Sequence, residues 1–281
     1  DIDLYLRIAP ELYLKRLLVG GLPKVYEINR NFRNEGLDKQ HNPEFTMLEV
    51  YQAFGDCETV MQLTEGLIRD AARMVAAETR GPTDLRLPFG EITIDYGLPF
   101  ARVAYGDLFE RALGFDMGDA DCARDQALQR HLFKVDEIDR IDPVFIVNEL
   151  FEEVAEKSVD AGKPTFITEY PSALSPLTRP KPSNPAVAER ADLFIAHMEV
   201  GPHYTELNDP DVQAAKFREQ LSGLDDEEST FRTFDADFIH ALKVGMPPAG
   251  GLGIGIDRLT MLLTNQRTIR DVVLFPLMRP E

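Results

Sequence analysis

Residues 30–51 read RNFRNEGLDKQHNPEFTMLEVY, two runs of alternating polar and apolar side chains joined by a charged loop. Alternation with a period of two is typical of β-strands, whose successive side chains point to opposite faces. Pairing of the two runs as a hairpin predicts one face that carries Arg33, Glu35, Phe45, Glu49 and Tyr51. That face combines a guanidinium that can bind anions, an aromatic ring that can stack and two carboxylates. Periodicity by itself favours only a solvated strand face.

The composition is that of a globular protein with a strong acidic bias. The 281 residues are 44% hydrophobic and 28% charged, and the net charge is −18. This balance argues against a nucleic-acid-binding surface as the dominant feature. No run approaches the roughly 20 apolar residues that span a bilayer, and Cys57 and Cys122 are too few for a disulfide framework. We therefore expect a cytoplasmic protein that does not cross a membrane.

Turn residues and hydrophobic periodicity divide the rest of the chain into short strands and helices. In the first half, helices are predicted for 11–19, about 58–78 and most of 105–162, with the strongest helical element at about 143–161, and strands for 24–33, 45–54, parts of 84–104 and 165–168. In the second half, we predict an irregular loop at 171–188, two strands within 192–207, a helix at 209–221, an acidic loop at 222–229, a helix at 235–244, a tight turn at 247–251, a glycine-rich strand and a final helix. This order predicts one α+β domain over 1–281, with a mostly helical insertion at about 105–162.

Two acidic residues, Asp192 and Glu199, lie seven positions apart across a predicted hairpin. If Ala196-His197 is a two-residue turn, Phe194 pairs with Glu199 and Asp192 with Gly201. The two carboxylates are then diagonal neighbours on one face, within about 7–8 Å at Cβ. Carboxylates at that spacing repel unless a cation lies between them, and Mg²⁺ is a natural candidate. Spacing alone favours a mere surface acid pair.

Residues 251–258 read GLGIGIDR, an alternating glycine strand followed by an arginine. The spacing differs from the GxGxxG of dinucleotide folds, and no P-loop lysine follows. Alternating glycines leave one strand face without side chains, so a flat base can lie against the backbone. Arg258, at the start of the last helix, can reach a phosphate. Taken alone the signal is weak, because glycine-rich strands also serve close packing.

The string FRNE at 32–35, followed after six residues by NPEFTMLE at 42–49, resembles motif 2 of class II aminoacyl-tRNA synthetases in its lysyl form. The match extends back through RIAPELYLKR at 7–16. The glycine strand, together with IRDVVLFP at 269–276, is similar to motif 3 and the C-terminus of the same family. The resemblance implies that family's antiparallel sheet flanked by helices.

The resemblance also implies roles for residues of the first hairpin. Arg33 matches the residue that contacts the α-phosphate and the substrate carboxylate, and Phe45 matches the ring that stacks on adenine. Other matched contacts to ATP are Glu35, His41, Asn42, Gly255 and Arg258, with Arg33 and Arg258 implied as the catalytic pair. Glu11 matches the carboxylate that binds the lysine α-ammonium. A fork-shaped guanidinium suits two anions, and a carboxylate suits an ammonium.

The second acidic pair has a counterpart in the lysyl family as well. There, two glutamates hold Mg²⁺ and ATP, and Asp192 and Glu199 match them, the first being one methylene shorter. YTELND at 204–209 resembles a family string in which Glu206 selects the lysine ε-ammonium, and the implied lysine pocket also includes Glu49, Tyr51 and Tyr204. Two departures are Ala196-His197, where glycines are usual, and Pro202, where many relatives have an asparagine that touches substrate.

The implied reaction is the Mg²⁺-assisted activation of lysine by ATP and transfer of the lysyl group to tRNA(Lys). A homodimer is expected for the full-length protein, with motif 1 and an anticodon-reading OB-fold domain expected upstream of Asp1. One alternative is a paralog that lysylates elongation factor P, whose motif 3 glycines are usually less complete. Another is a non-catalytic regulator, which Asp192 and Pro202 would suit. Aspartyl or asparaginyl enzymes fit poorly, because Glu49 and Glu206 would make an acidic pocket.

Overall fold

Groups of consecutive strands and helices follow one another along the chain. The computed structural model describes residues 4–79, 81–221 and 234–277. Its strands are β1 Lys24–Phe32, β2 Glu44–Ala53, β3 Arg86–Phe89, β4 Ile92–Asp95, β5 Ala101–Ala104, β6 Thr165–Thr168, β7 Pro180–Lys181, β8 Asn184–Ala188, β9 Arg190–Ile195, β10 Met198–Thr205 and β11 Ala249–Gly255. Its α-helices are α1 Glu11–Val19, α2 Cys57–Thr79, α3 Tyr105–Leu113, α4 Ala120–Gln129, α5 Pro143–Leu150, α6 Pro210–Leu221, α7 Ala236–Gly245 and α8 Ile256–Leu263.

Seven of these strands form one sheet, in the order β1-β2-β11-β10-β9-β6-β5. Every neighbouring pair is antiparallel except β5 and β6, which run parallel. Parallel neighbours need a long crossover connection, and the chain between β5 and β6 contains α3, α4 and α5. The predicted α+β class, a mainly antiparallel sheet flanked by helices, is confirmed.

The two faces of the central strands carry different side chains. On one face, Leu48, Val50, Leu252 and Ile254 pack with α2 and α8 in the main hydrophobic core. Because strand side chains alternate, the intervening residues of β2 and β11 point to the opposite face. There, Glu49 and Tyr51 of β2 lie opposite Gly253 and Gly251 of β11. The glycines leave open space above this part of the sheet.

A second core closes one end of that open face. Leu14 and Leu18 of α1 pack with Phe238 and Leu242 of α7 and with the ring of Tyr51. Leu14 and Leu18 lie one turn apart on the buried side of α1, which accounts for the amphipathic pattern of this short helix. The packing holds α1 beside the cavity-facing residues of β2.

The helices between β5 and β6 have a hydrophobic cluster of their own. Tyr105, Phe109 and Phe151 are its large buried rings, and Phe194 of β9 joins it to the sheet. The predicted helix at about 143–161 is shorter than expected. Its α-helical part ends at Leu150. It is followed by a π-helical turn at Phe151–Ala155 and a 3₁₀ turn at Glu156–Ser158.

Two stretches predicted as loop or turn contain strands. The proline-rich segment 171–188, predicted as an irregular loop, includes β7 and β8, which pair as a small separate sheet. Prolines are tolerated there because a short, two-stranded edge demands few backbone donors. The predicted tight turn at 247–251 is confined to Pro247 and Pro248, because β11 begins at Ala249. The predicted acidic loop at 222–229 lies outside the described residues.

The hairpin of β9 and β10 differs in register from the prediction. Ala196 and His197 form its turn with φ of 54° and 59°, and Glu199 pairs with Phe194 as predicted. A bulge between Glu199 and Gly201 then shifts the ladder, so Asp192 pairs with Pro202 and not with Gly201. One extra residue on the bulged strand accounts for the shift.

Candidate active site

The open face of the sheet forms the floor of a cavity of about 410 Å³ beneath α1 and the loop after β1. Thirteen of the fourteen residues predicted for the site line this cavity: Glu11, Arg33, Glu35, His41, Asn42, Phe45, Glu49, Tyr51, Glu199, Tyr204, Glu206, Gly255 and Arg258. Asp192 is the exception, because it borders a neighbouring cavity on the side of α5. The structure therefore brings residues from five elements together around one cleft.

One end of the cavity is acidic and almost closed to solvent. Glu49 and Glu206 are 4% and 1% exposed, and the hydroxyl of Tyr51 donates a hydrogen bond to Glu49 Oε2 at 3.0 Å. Burial, followed by the charge of Glu11, raises the pKa of Glu49 to about 8. Burial likewise raises the pKa of Glu206 to about 7, against the opposing effect of Lys15. Such carboxyl groups favour a cationic partner.

The glycine strand makes room for these acidic groups. A Cβ atom at Gly251 would lie 1.9 Å from Glu206 Oε1 and 2.6 Å from Cε1 of Tyr51. Oε1 of Glu206 has no hydrogen-bond partner among the described residues. A buried carboxylate oxygen without a partner costs free energy. It is therefore suited to an ammonium group supplied by a ligand.

Lys15 is the residue at this end that sequence reasoning missed. It is 0% exposed, and its Nζ lies 2.6 Å from Glu11 Oε1 and 2.5 Å from Glu206 Oε2. The sequence held a signal, because positions 11, 14, 15 and 18 form one face of a helix. A lysine on the buried side of an amphipathic helix requires an acidic partner.

The opposite end of the cavity is cationic. Arg33 follows β1, and its guanidinium lies 5.1 Å from the centroid of the Phe45 ring. Its Nε donates a hydrogen bond to the carbonyl of Ile8 at 3.2 Å. Within the described residues, no carboxylate forms an ion pair with Arg33. The guanidinium thus keeps donors available for an anion.

Arg258 is a second cation at this end, and it is hydrogen-bonded to His41. Arg258 donates to His41 Nε2 at 2.8 Å and to the backbone carbonyl of Glu199 at 2.7 Å. Since arginine can only donate, His41 Nε2 accepts, and Nδ1 carries the proton toward Asp38 Oδ2 at 2.8 Å. Glu35 Oε2 lies 3.7 Å from the same histidine. This chain of contacts links the loop after β1 to the start of α8.

The remaining predicted residues line the wall between the two ends. Asn42 is 5% exposed and donates to the carbonyl of Glu44 at 2.6 Å, while its Oδ1 has no partner among the described residues. Gly255 ends β11 next to Arg258. Asp257 also lines the cavity, although the sequence analysis did not select it, and its Oδ2 accepts from the Thr46 amide at 2.6 Å.

The two acids proposed for a metal ion have unequal surroundings. Both oxygens of Asp192 accept hydrogen bonds from Arg190, whose Nε lies 2.9 Å from Oδ1 and whose Nη2 lies 2.5 Å from Oδ2. Glu199 has no ion pair in the described part of the chain. Burial, followed by the negative charge of Asp192, raises the pKa of Glu199. No cluster of three or more metal-binding side chains is present among the described residues.

Comparison with known proteins identifies the family. The family described as tRNA synthetases class II (D, K and N) matches residues 1–279. The chain belongs to the class II tRNA synthetases. Lysine–tRNA ligases of Cronobacter sakazakii (strain ATCC BAA-894) and Escherichia coli (strain K12) are each 46% identical to it, over 286 and 288 residues. The alignments cover 100% of this chain and 54% of each relative. The chain thus spans about half the length of the curated relatives it matches.

Two departures of this class II synthetase chain meet at the β9–β10 hairpin. Pro202 lines the cavity and offers it neither a backbone N–H nor a side-chain amide. Ala196 and His197 hold the left-handed conformation that glycine adopts most easily.

In the described part of the chain, no helix is both long and apolar enough to cross a membrane.

Proposed function

We propose that this chain is the catalytic part of a lysine–tRNA ligase, which activates lysine with ATP and transfers it to tRNA(Lys). The observation that carries the proposal is the buried Glu206 carboxylate, which lines the cavity and whose Oε1 has no hydrogen-bond partner among the described residues. The names of the 46%-identical relatives point to the same activity. Expected substrates are therefore ATP, L-lysine and tRNA(Lys).

Lysine fits the acidic end through its two ammonium groups. Its ε-ammonium would contact Glu206 Oε1, in a pocket shaped by Glu49, Tyr51 and Tyr204. Glu11, at the cavity wall, would take the α-ammonium. An amino acid without the ε-ammonium would leave Glu206 Oε1 buried without a partner, since Lys15 forms its ion pair with Oε2. We therefore expect discrimination by factors of about 10⁴ against uncharged isosteres.

ATP fits the cationic end. The unpaired guanidinium of Arg33 would bind the α-phosphate and the lysine carboxylate together, and Arg258 would bind a terminal phosphate. Phe45 offers its ring to adenine, and the bare strand that ends at Gly255 offers a flat backbone surface. Glu35, His41 and Asn42 complete the proposed ATP contacts.

Mg²⁺ would bind at the acidic pair. Magnesium sites often combine one or two carboxylates with substrate phosphates and water. Glu199, which has no ion pair among the described residues and lines the cavity, suits this donor set. Asp192 is held by Arg190 and contributes its negative charge close by. When bound, the ion would offset the charge of the ATP phosphates.

The proposed chemistry has two steps. A lysine carboxylate oxygen attacks the α-phosphorus of ATP, the bond to the bridging oxygen of the β-phosphate breaks, and pyrophosphate leaves. No general base is required, because the attacking carboxylate is already ionised at pH 7. Arg33 and Arg258 stabilise the charge that spreads over the phosphoryl oxygens. A hydroxyl of the terminal tRNA adenosine then attacks the lysyl carbonyl, and AMP leaves.

A homodimer in the cytoplasm is part of the proposal. Tyr26 and Ile28 of β1 are 72% and 58% exposed at the edge of the sheet, and Leu4, Leu6 and Ile8, which precede α1, are exposed as well. Exposed apolar groups of this extent are typical of protein–protein interfaces.

The net charge of −18 bears on the proposed binding of tRNA. Because the tRNA backbone is negatively charged, its binding needs contacts with basic side chains, which an acidic surface does not provide.

Exchange of pyrophosphate into ATP tests the activation step. With purified full-length protein and each amino acid in turn, we expect exchange that depends on lysine. Exchange with aspartate or asparagine, or with no amino acid, would refute the assignment. Transfer of labelled lysine to tRNA(Lys) and to elongation factor P, compared in parallel, then identifies the acceptor. Lysylation of elongation factor P alone would replace the tRNA part of the proposal.

A further inference from the structure

Lys15 is a buried ammonium that contacts two of the carboxylates lining the pocket that we propose for the substrate's ammonium groups, without lining the pocket itself. Its Nζ bridges Glu11 Oε1 and Glu206 Oε2, at 2.6 Å and 2.5 Å. It also lies 5.9 Å from the ring centroid of Tyr51. Lys15 therefore already forms an ion pair with one oxygen of each glutamate to which a lysine ligand would bind, although its contact with Glu206 lacks hydrogen-bond geometry.

The groups that face Lys15 come from three elements. Glu11 lies one turn earlier on α1, Glu49 and Tyr51 lie on β2, and Glu206 follows β10. Arg33 is the other cation whose charge acts on Glu49. Among the described residues, three acidic side chains and one ammonium lie at this end of the cavity, so acidic groups outnumber ammonium groups there. Burial lowers the pKa of Lys15, but the charges of Glu11 and Glu206 outweigh burial and raise it.

A purely structural role explains this arrangement poorly. Packing alone would be served by an apolar side chain, since position 15 shares the buried face of α1 with Leu14 and Leu18. The ammonium at this position forms its ion pair with Glu206 Oε2, and Oε1 has no hydrogen-bond partner within the part of the chain that the structure describes. Lys15 thus pairs with the carboxylate without blocking it.

We propose that Lys15 is a positioning residue, whose ammonium holds the Glu11 and Glu206 carboxylates in place and favours the ionised form of Glu206 before the substrate arrives. The inference rests on the proposed lysine site. Without Lys15, Glu206 would take up a proton in the empty pocket, because its burial and the charge of Glu11 both oppose ionisation. Lysine would then have to displace that proton in order to bind.

The pH dependence of lysine binding in the Lys15→Met variant of the full-length protein tests the inference. Methionine has a similar length and no charge. At pH 7 we expect lysine to bind at least about tenfold more weakly than to wild type. The difference in lysine affinity between Lys15→Met and wild type should shrink toward pH 9, where Glu206 ionises without the help of Lys15. Calorimetry in two buffers should detect more protons released on lysine binding by the variant than by wild type. An equal loss of affinity at every pH would indicate a structural role and overturn the inference.

Lys216→Met is the matched control. Lys216 is half-buried, donates to the carbonyls of Ser172 and Ser175, and lies outside the cavity. Its replacement should leave the lysine affinity and its pH profile unchanged. If Lys216→Met changed the lysine affinity and its pH profile as much as Lys15→Met does, the inference would be overturned. The loss of any partly buried lysine would then have the same effect.

Wild-type protein gives a second test if Lys15→Met does not fold. In protein labelled with ¹⁵N at lysine Nζ, the Lys15 ammonium should be protected from solvent exchange and should shift when lysine is added. The absence of a protected ammonium, or one that lysine leaves unchanged, would overturn the inference. Failure of wild type to bind lysine at all would instead refute the proposed function, so the two failures are distinguishable.

Discussion

The carboxylate of Glu206 lies against the bare Cα of Gly251, where a Cβ atom would come within 1.9 Å of Oε1. Tyr51 approaches the same point, with Cε1 at 2.6 Å from that position. Both contacts arise because β11 runs between β2 and β10 in the sheet. The glycine thus sets how deep the acidic end of the cavity is.

Gly251→Ala should abolish productive lysine binding. The added methyl group must displace either Glu206 or the Tyr51 ring, and both are buried. We expect lysine-dependent pyrophosphate exchange to fall at least about 100-fold, by analogy with other displaced site groups. Gly66→Ala in α2 is the control, because nothing lies within 4 Å of its added methyl group. It should retain full exchange and gain about 0.5–1 kcal/mol of stability. Normal exchange in Gly251→Ala would contradict the proposed position of Glu206.

Lysine should bind more tightly as the pH rises from 6 to about 8.5. Burial raises the pKa of Glu206 to about 7 and, with the charge of Glu11, that of Glu49 to about 8. A lysine ammonium favours the ionised carboxylates, so binding should release protons within this window. Titration calorimetry in buffers with different ionisation enthalpies measures the release. Glu49→Gln should lose the part of the release above pH 7.5, and a pH-independent affinity would contradict the prediction.

His203 should make the folded protein sensitive to acid. The ring is 0% exposed, with Nδ1 donating to the carbonyl of Ala191 and Nε2 accepting from Thr64. Burial, only partly opposed by the charge of Asp192, lowers its pKa from 6.5 to about 4. Below pH 6.5 the unfolded chain binds the proton more readily. Stability should therefore be lost as the pH falls from about 6.5 to about 4, at about 1.4 kcal/mol per pKa unit.

Urea unfolding at several pH values checks this effect. His203→Gln keeps a polar group but cannot titrate, so its stability should vary less between pH 6.5 and 4 than that of wild type. His240→Gln, at an exposed position of α7, is the control and should keep the wild-type slope. An unchanged slope in His203→Gln would show that the acid sensitivity has another source.

His197→Gly should stabilise the β9–β10 hairpin. His197 is exposed and has φ of 59°, a conformation that costs most side chains about 1 kcal/mol. Glycine removes this strain, and we expect a gain of roughly 0.5–1 kcal/mol in the free energy of unfolding. His197→Ala keeps the Cβ atom and should show no gain. If both variants raise the melting temperature equally, loss of the ring and not relief of strain is the cause.

The local elements of the fold were predictable from the sequence because their signals are local. The alternation in 30–51 predicted β1, β2 and the faces of their side chains, and the structure confirms both strands. The bulge after Glu199 was missed, although Gly201 and Pro202, two residues that are common at bulges, stand beside it. It arises where β10 must fit between β9 and β11, with Gly201 so close that a Cβ atom would meet the Gly253 carbonyl.

In the site, as in the fold, the features with local sequence signals were predictable and those that depend on packing were not. The sequence by itself determined which residue types surround the cavity, because their spacing and chemistry are written in short motifs. Only the tertiary structure decided that Lys15 completes the acidic end, that Arg190 holds Asp192, and that Glu206 keeps one open oxygen. The physical reason is that ionisation and pairing depend on distances between elements. Packing of α1, β2 and β10 fixes those distances, and no periodicity along the chain encodes them.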